Sequence, residues 1–289
     1  MRNRPRPARY VYAVPTIAAI FPGQGSHSAG MDEPYRDHPT FQRGLEALGE
    51  NPFERLEEGT RWQQPAIFLC SVVAWEVWRA ENPDEVDQVI AGAGHSLGEY
   101  AALVAAGALD FEDGIRLVAE RGAAMADAGS LNPGSMVAML GGDDAAIRAL
   151  ADRLGLTVAN DNAPGQLVLS GPIDAIEQAE ELAREETGAR ARRLDVSGAF
   201  HSPLMEPAAD RLGAALAKVE FREPRFPVYS NGTAAPFTDI PGELGANLLR
   251  GVRWRETLLA MRAAGAERFI EHGPGAVLTG LVKRTLVAA

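Results

Sequence analysis

Apolar positions along this 289-residue chain follow two alternating rhythms: short runs of five or six residues, and longer stretches that repeat every three to four. The first kind reads as buried strands and the second as helices laid over them, which together point to a parallel sheet covered by helices. The pattern predicts a strand over 16–21, a helix over 65–81, a strand over 88–93, and helices over 96–107 and 112–126. Trp75 and Trp78, at helical spacing, are expected in the core. After the breaker Asn132-Pro133-Gly134 the rhythm changes. Strand 135–140, helix 143–154, strands 156–160 and 166–171, helix 173–186 and strand 190–196 follow in the order β-α-β-β-α-β of a ferredoxin-like unit. Helix and strand alternation then resumes, with strands at Tyr229 and over 268–270. A small domain over 132–205, inserted into a larger α/β domain made of 1–131 and 206–289, accounts for this order. A cleft between the two is the default site.

Composition narrows the picture. A formal charge of -11 argues against a broad phosphate-binding surface, so no nucleic-acid partner is expected. The single cysteine, Cys70, lies in the apolar run 66–70, reads as a core residue, and suits a reducing compartment. Arg2, Arg4, Arg6 and Arg9 precede the apolar stretch 11–21 in the manner of a signal peptide. Pro15 interrupts that stretch, which runs directly into the glycine-rich turn Phe21-Pro22-Gly23-Gln24-Gly25-Ser26-His27, so a basic tail before the first strand is the preferred reading. No segment approaches the ~18 consecutive apolar residues of a membrane span. A cytoplasmic protein with no membrane partner is expected.

The strongest chemical signal is Gly94-His95-Ser96-Leu97-Gly98, which follows a predicted strand and opens a predicted helix. That is the context of a nucleophile elbow, where the serine sits on a sharp turn and larger flanking side chains would clash. The plainer alternative is a glycine-rich turn with a helix-capping serine. A nucleophilic serine needs a base, and the chain has five histidines: His27, His38, His95, His201 and His272. None pairs with another at metal-ligand spacing, so no histidine-based zinc site is expected. His201 stands where the small domain returns toward the large one. His95 adjoins the serine, reads as supporting structure, and His27 and His272 read as loop residues. On helix 112–126, Gly114, Val118, Arg121 and Met125 share one face, which places a guanidinium inward. Such a group should meet a carboxylate, from the protein or from a ligand. The loop 21–25 lacks the spacing and lysine of a phosphate cradle, and suits instead a backbone amide facing the elbow.

These segments together resemble the malonyl-CoA:acyl carrier protein transacylases of fatty-acid synthesis and the acyltransferase domains of polyketide synthases. The resemblance spans 16–284 and rests on Phe21-Pro22-Gly23-Gln24-Gly25-Ser26, Gly94-His95-Ser96-Leu97-Gly98-Glu99-Tyr100, Arg121-Gly122, Asn162-Ala163-Pro164-Gly165-Gln166, Phe200-His201-Ser202, and Gly273-Pro274-Gly275 leading to Lys283-Arg284. It implies an α/β-hydrolase-like large domain with a parallel sheet plus an inserted ferredoxin-like small domain. It implies an acyl-Ser96 intermediate, His201 as general base, oxyanion donors at the amides of Gln24 and Leu97, and Arg121 as partner of the malonyl carboxylate. Phe200, Met125 and Asn247 are expected among the substrate-binding residues. Asn247 stands where stand-alone members carry a glutamine that buttresses the histidine, and its side-chain carbonyl is expected to serve. Malonyl-CoA is the implied substrate, with no bound cofactor or metal. The implied partner is an acyl carrier protein, docking at Lys283, Arg284, Arg190, Arg192 and Arg193 on a monomer.

Two readings of other kinds stay open: a hydrolase acting on acyl-carrier-protein thioesters, and a non-catalytic docking module. An acyltransferase subunit of a malonate decarboxylase shares the chemistry and differs in partner. For the hydrolase, Asp195 is the one acid between serine and base in the predicted cleft strand, and it is expected not to reach behind the histidine.

Overall fold

The computed structural model describes residues 15–287. The basic segment carrying Arg2, Arg4, Arg6 and Arg9 and the outermost ends of the expected large domain lie outside the described residues. Two four-stranded sheets organise the rest. The first has order β7-β2-β1-β8, all parallel, from β1 (Ile17–Phe21), β2 (Val89–Gly94), β7 (Val228–Tyr229) and β8 (Arg268–Glu271). β1 is central and its five residues are fully buried, which is why it reads as a continuous apolar run rather than an alternating one. The second sheet has order β4-β5-β3-β6, all antiparallel, from β3 (Gly134–Leu140), β4 (Thr157–Ala163), β5 (Gln166–Pro172) and β6 (Arg190–Arg193). With α5 (Asp144–Arg153) and α6 (Ile173–Leu182) between its strands, this is the ferredoxin-like order predicted from sequence.

Helices predicted from sequence form with shifted ends. α2 (Thr60–Glu81) starts five residues before the predicted Pro65 and runs through that proline, forgoing the amide that would bond the Arg61 carbonyl. Its extra first turn brings Thr60 and Gln64 to the site. α4 (Phe111–Leu131) runs beyond the predicted 126. α3 (Gly98–Ala105) starts two residues late, leaving Ser96 outside the helix. The predicted strand 190–196 ends at Arg193, because Leu194 and Val196 turn away to line the central cavity. The remaining helices are α1 (Pro39–Leu48), α7 (Glu206–Leu216), α8 (Ile240–Ala246), α9 (Trp254–Ala263) and α10 (Val277–Val287). Among the described residues no helix is long and apolar enough to cross a membrane.

The two sheets are tied beside the cleft. Val252, before α9, exchanges backbone bonds with β4: its amide donates to the Ala159 carbonyl at 2.8 Å and its carbonyl accepts from the Asp161 amide at 2.9 Å. Arg255 on α9 donates to Asp144 and Asp161 of the small sheet unit, each at 2.7 Å, and Arg148 pairs with the same Asp161. Asp161 is buried, so these charges are partly desolvated and hold more firmly than exposed pairs.

Cys70 is buried on α2, with burial pushing its thiol well above the usual range. Trp75 and Trp78 stack at 5.3 Å and, with Phe21, enclose His272 at the end of β8. His272 is thus a core residue, not a simple loop histidine. Among the described residues its Nε2 has no hydrogen-bond partner, and burial lowers its pKa from 6.5 to about 3. The folded protein therefore excludes a proton that the unfolded chain accepts below about 6.5. Stability from this site is fully present above that pH and is lost as pH falls toward 3, by up to roughly 3 kcal/mol near pH 4. His272→Phe, filling the same aromatic cage, should flatten that loss. Urea midpoints compared at pH 7 and 4.5 check it; an unchanged drop in the variant would place the acid sensitivity elsewhere.

Candidate active site

Ser96 sits between the C-terminal end of β2 and α3, where an open α/β sheet places its ligand crevice. Its backbone is left-handed at φ 52°, a conformation that costs a non-glycine residue about 1–2 kcal/mol. The flanking glycines make the turn possible. A Cβ on Gly94 would lie 1.8 Å from the Gly98 carbonyl carbon, and one on Gly98 would lie 2.2 Å from the Phe21 carbonyl oxygen. The turn lifts Ser96 off the sheet. Leu97, not Ser96, occupies the helix cap, and no helix amide among the described residues bonds to the Ser96 hydroxyl. This removes the capping alternative.

The hydroxyl instead meets His201 Nε2 at 2.8 Å. His201 follows the small sheet unit in a tight turn, also left-handed at φ 57°, and is buried. Its Nδ1 faces two backbone carbonyls, Asn247 at 2.8 Å and Arg250 at 3.0 Å. Carbonyls only accept, so Nδ1 carries the proton and Nε2 presents a lone pair to the serine. Burial, and then the nearby Arg121 charge, lower the His201 pKa to about 4, so the imidazole is neutral at physiological pH. Asp195 is exposed at the cavity wall, and no carboxylate among the described residues bonds to His201 Nδ1.

Arg121 is buried on the inward face of α4, as its helical spacing predicts, but it meets no carboxylate among the described residues. Nη2 donates to Ser96 Oγ at 2.8 Å and Nη1 donates to Gln64 Oε1 at 2.5 Å, while Nε has no partner. Burial lowers its pKa from the ordinary guanidinium value. Gln64 Nε2 donates to Thr60 Oγ1 and approaches the Met125 sulfur, and Thr60 donates in turn to Gln24 Oε1. One chain of polar groups thus runs from the serine to the loop after β1. Among the described residues the amides of Gln24 and Leu97 bond to no acceptor, so both remain able to donate.

A cavity of about 220 Å³ opens over Ser96, lined in part by Gln24, His95, Met125, Met136, Phe200 and His201. Phe200 and Met125 therefore stand at the cavity wall. Asn247 does not. Its side chain points away, with Nδ2 donating to Glu99 and Ser230, and its backbone carbonyl, rather than the expected side-chain carbonyl, holds His201. A backbone contact leaves no mark on residue type. His95 packs on Trp254 and bonds through Nε2 to Asn162 Oδ1 at 2.8 Å, joining the elbow to β4.

The expected docking arginines separate. Arg190 and Arg284 line a shallow surface cavity with Gly141, Pro164 and Gly165, and Lys283 is exposed beside Arg284 on α10. Arg190 and Arg192 share a face of β6, and neither has an ion-pair partner among the described residues. Arg193 falls on the opposite face and pairs with Glu180 and Glu177 of α6, so it is withdrawn from the patch. Period-two alternation along a strand separates neighbours that the sequence groups together.

Residues 45–289 match the acyl transferase domain family. The chain is also 40% identical to the malonyl CoA-acyl carrier protein transacylase of Bacillus subtilis, over 93% of this chain and 90% of that protein. The chain belongs to the malonyl-CoA:acyl carrier protein transacylase family. Solved structures of the family agree with its fold. An acyl carrier protein S-malonyltransferase from Vibrio cholerae superposes with TM-score 0.87 at 39% identity, covering 94% of both chains. A malonyl-transacylase in complex with its type II polyketide synthase acyl-carrier protein superposes with TM-score 0.87 at 36% identity, covering 94% of this chain and 93% of that one.

Residues that sequence reasoning passed over, Gln64, Thr60, Asn231 and Glu99, bond to one another or to the reacting side chains rather than to solvent. Glu99 alone carried a signal, as a charged residue in an otherwise apolar helix just after the elbow. The geometry at His201 sets a pH expectation. A base whose pKa is lowered to about 4 keeps its lone pair down to that pH, so kcat/KM for serine acylation should lack a limb near 6.5 and fall only as pH approaches 4. Stopped-flow pH jumps, short enough to precede unfolding, measure it. A single limb near 6.5 would mean that His201 is not held in this environment during acylation.

Proposed function

We propose that this chain moves a malonyl group from coenzyme A to the phosphopantetheine thiol of an acyl carrier protein, through malonyl-Ser96. The observation that carries this reading is the Ser96 hydroxyl held at 2.8 Å both by a neutral His201 and by a buried Arg121 that has no carboxylate partner among the described residues. His201 Nε2 takes the serine proton as Oγ attacks the thioester carbonyl carbon. The carbonyl oxygen becomes an oxyanion, and the amides of Gln24 and Leu97 donate to it. Collapse expels the coenzyme A thiolate, which takes the proton from His201, leaving the ester. The carrier-protein thiol then attacks that ester, His201 accepts its proton, and the same steps in reverse restore the serine.

Arg121 supplies selectivity in this scheme. Its guanidinium gives two parallel donors to the free carboxylate that malonyl has and acetyl lacks. Phe200 and Met125 bound the acyl group from the cavity wall. The carrier protein, itself acidic, meets a net-negative enzyme at the local basic patch of Arg190, Arg192, Lys283 and Arg284. A buried free thiol and coenzyme A chemistry support a cytoplasmic location, and the enzyme is proposed to act as a monomer.

Ser96→Ala tests the reading directly. Intact-mass analysis after mixing with malonyl-CoA should show the acyl adduct on the wild-type chain and none on the variant; an adduct on the variant sinks the assignment of the nucleophile. Arg121→Ala should lose about 2–5 kcal/mol of transition-state stabilisation for malonyl, as when one partner of a desolvated charge pair is removed, and little for acetyl. Competition between the two thioesters measures this. Equal losses in a folded variant would make Arg121 a structural residue.

A further inference from the structure

Glu99 is a buried acid that the chemistry above does not use. It stands in the first turn of α3, 2% exposed, three residues after the nucleophile. The groups that reach its oxygens are donors. The Asn231 backbone amide donates to Oε1 at 2.7 Å, and the Asn247 side-chain amide donates to Oε1 at 3.0 Å and Oε2 at 3.2 Å. Burial pushes the carboxyl up to about 8, against these donors and the Arg121 charge. A carboxylate is costly in such a place unless its contacts are used.

Each of its two partners ends on a reacting residue. Asn231 Oδ1 accepts from the Ser96 amide at 2.6 Å while its Nδ2 donates to the Gly94 carbonyl at 2.7 Å, so this side chain spans the strained elbow. The Ser96 amide is thereby occupied, whereas the neighbouring Leu97 amide bonds to no acceptor among the described residues. Asn247 caps the C-terminal end of α8, and its backbone carbonyl accepts from His201 Nδ1. The same carboxyl group therefore fixes the turn that carries the nucleophile and the carbonyl that orients the base.

We propose that Glu99 is a positioning residue for the transfer reaction, holding Ser96 through Asn231 and His201 through Asn247 so that serine, base and oxyanion donor keep one geometry. Unlike the acid of a serine–histidine–acid site, it does not touch the imidazole but acts through an intervening asparagine. The inference rests on the assignment of Ser96 and His201 as nucleophile and base. It requires donors from both asparagines to meet acceptors on residue 99.

Glu99→Gln tests it, because glutamine keeps an oxygen for the Asn231 amide at the Oε1 position and replaces Oε2, 3.2 Å from the Asn247 side-chain amide, with an NH2 that opposes it. The acylation rate constant at saturating malonyl-CoA should fall roughly 10- to 100-fold, as expected of a small misplacement of reacting groups, with the half-saturating concentration changed less than about twofold. The double variant Glu99→Gln with Asn247→Asp reverses the donor and acceptor, and should recover most of the lost rate. It also serves if the single variant does not fold. A folded Glu99→Gln that acylates at the wild-type rate overturns the proposal, as does a double variant that recovers neither folding nor rate. Loss expressed only in half-saturation would also overturn it, since that would mark a binding role. Absence of a malonyl adduct on Ser96 of the wild-type chain would instead refute the assignment of nucleophile and base.

Discussion

A buried guanidinium that meets no carboxylate among the described residues is the interaction around which this site is built. Arg121 is desolvated on α4 and, among the described residues, donates hydrogen bonds to neutral oxygens, one on Gln64 and one on Ser96, with its Nε unpartnered and its guanidinium 5.9 Å from the centre of the Tyr100 ring. Removing a cation from water without a counter-charge costs several kcal/mol even after relaxation, so the free enzyme stores an unmet demand for an anion. Glu99 lies close enough to favour the charge electrostatically but bonds to other groups. The surrounding structure has to hold this arrangement open. It does so with neutral amides and hydroxyls, from Gln64 to Thr60 to Gln24, which orient the guanidinium without neutralising it.

Strain elsewhere in the site has the same logic. Both Ser96 and His201 sit at positive φ, and each is over-determined by its neighbours: Ser96 by Asn231 and the packed glycines, His201 by two carbonyls of the segment after α8. That segment continues to Val252 and Arg255, which bond to β4 and to the small sheet unit. The carbonyls that set the tautomer of the base therefore belong to the stretch of chain that docks the second sheet. Cleft geometry and base orientation are consequently fixed by one set of contacts.

These couplings explain which features could be read from sequence. The two sheets were legible because burial period is written in residue type: β1 is apolar throughout, and the β-α-β-β-α-β order needs only the sequence of runs. The elbow was legible because two glycines at fixed offsets answer a steric demand that no other residue meets. Arg121 was legible as an inward charge from its helical face. What it would meet was not, since Gln64 lies 57 positions away and helix α2 had been expected to begin after it. Asn247 misled for a related reason: its side chain invites a role, but a backbone carbonyl does the work, and any residue supplies one. Arg193 falls on the face opposite Arg190 and Arg192, which sequence adjacency hid because neighbours in sequence are opposites on a strand.

The electrostatics of Arg121 and His201 join selectivity to reactivity. After burial itself, the Arg121 charge is the main cause of the low basicity of His201, and the two side chains share the Ser96 hydroxyl. In a cavity of low dielectric such an influence is strong, and it falls once the positive charge is paired. A malonyl carboxylate bound to Arg121 would take over the donor now given to Ser96 Oγ, freeing the oxygen's lone pair for attack. It would also lift His201 toward the basicity at which proton abstraction is efficient at neutral pH. An acetyl group does neither. If malonyl pairs with Arg121 as proposed, discrimination between the two would not rest on binding alone: the substrate that satisfied the buried cation would also be the one that activated the serine and its base.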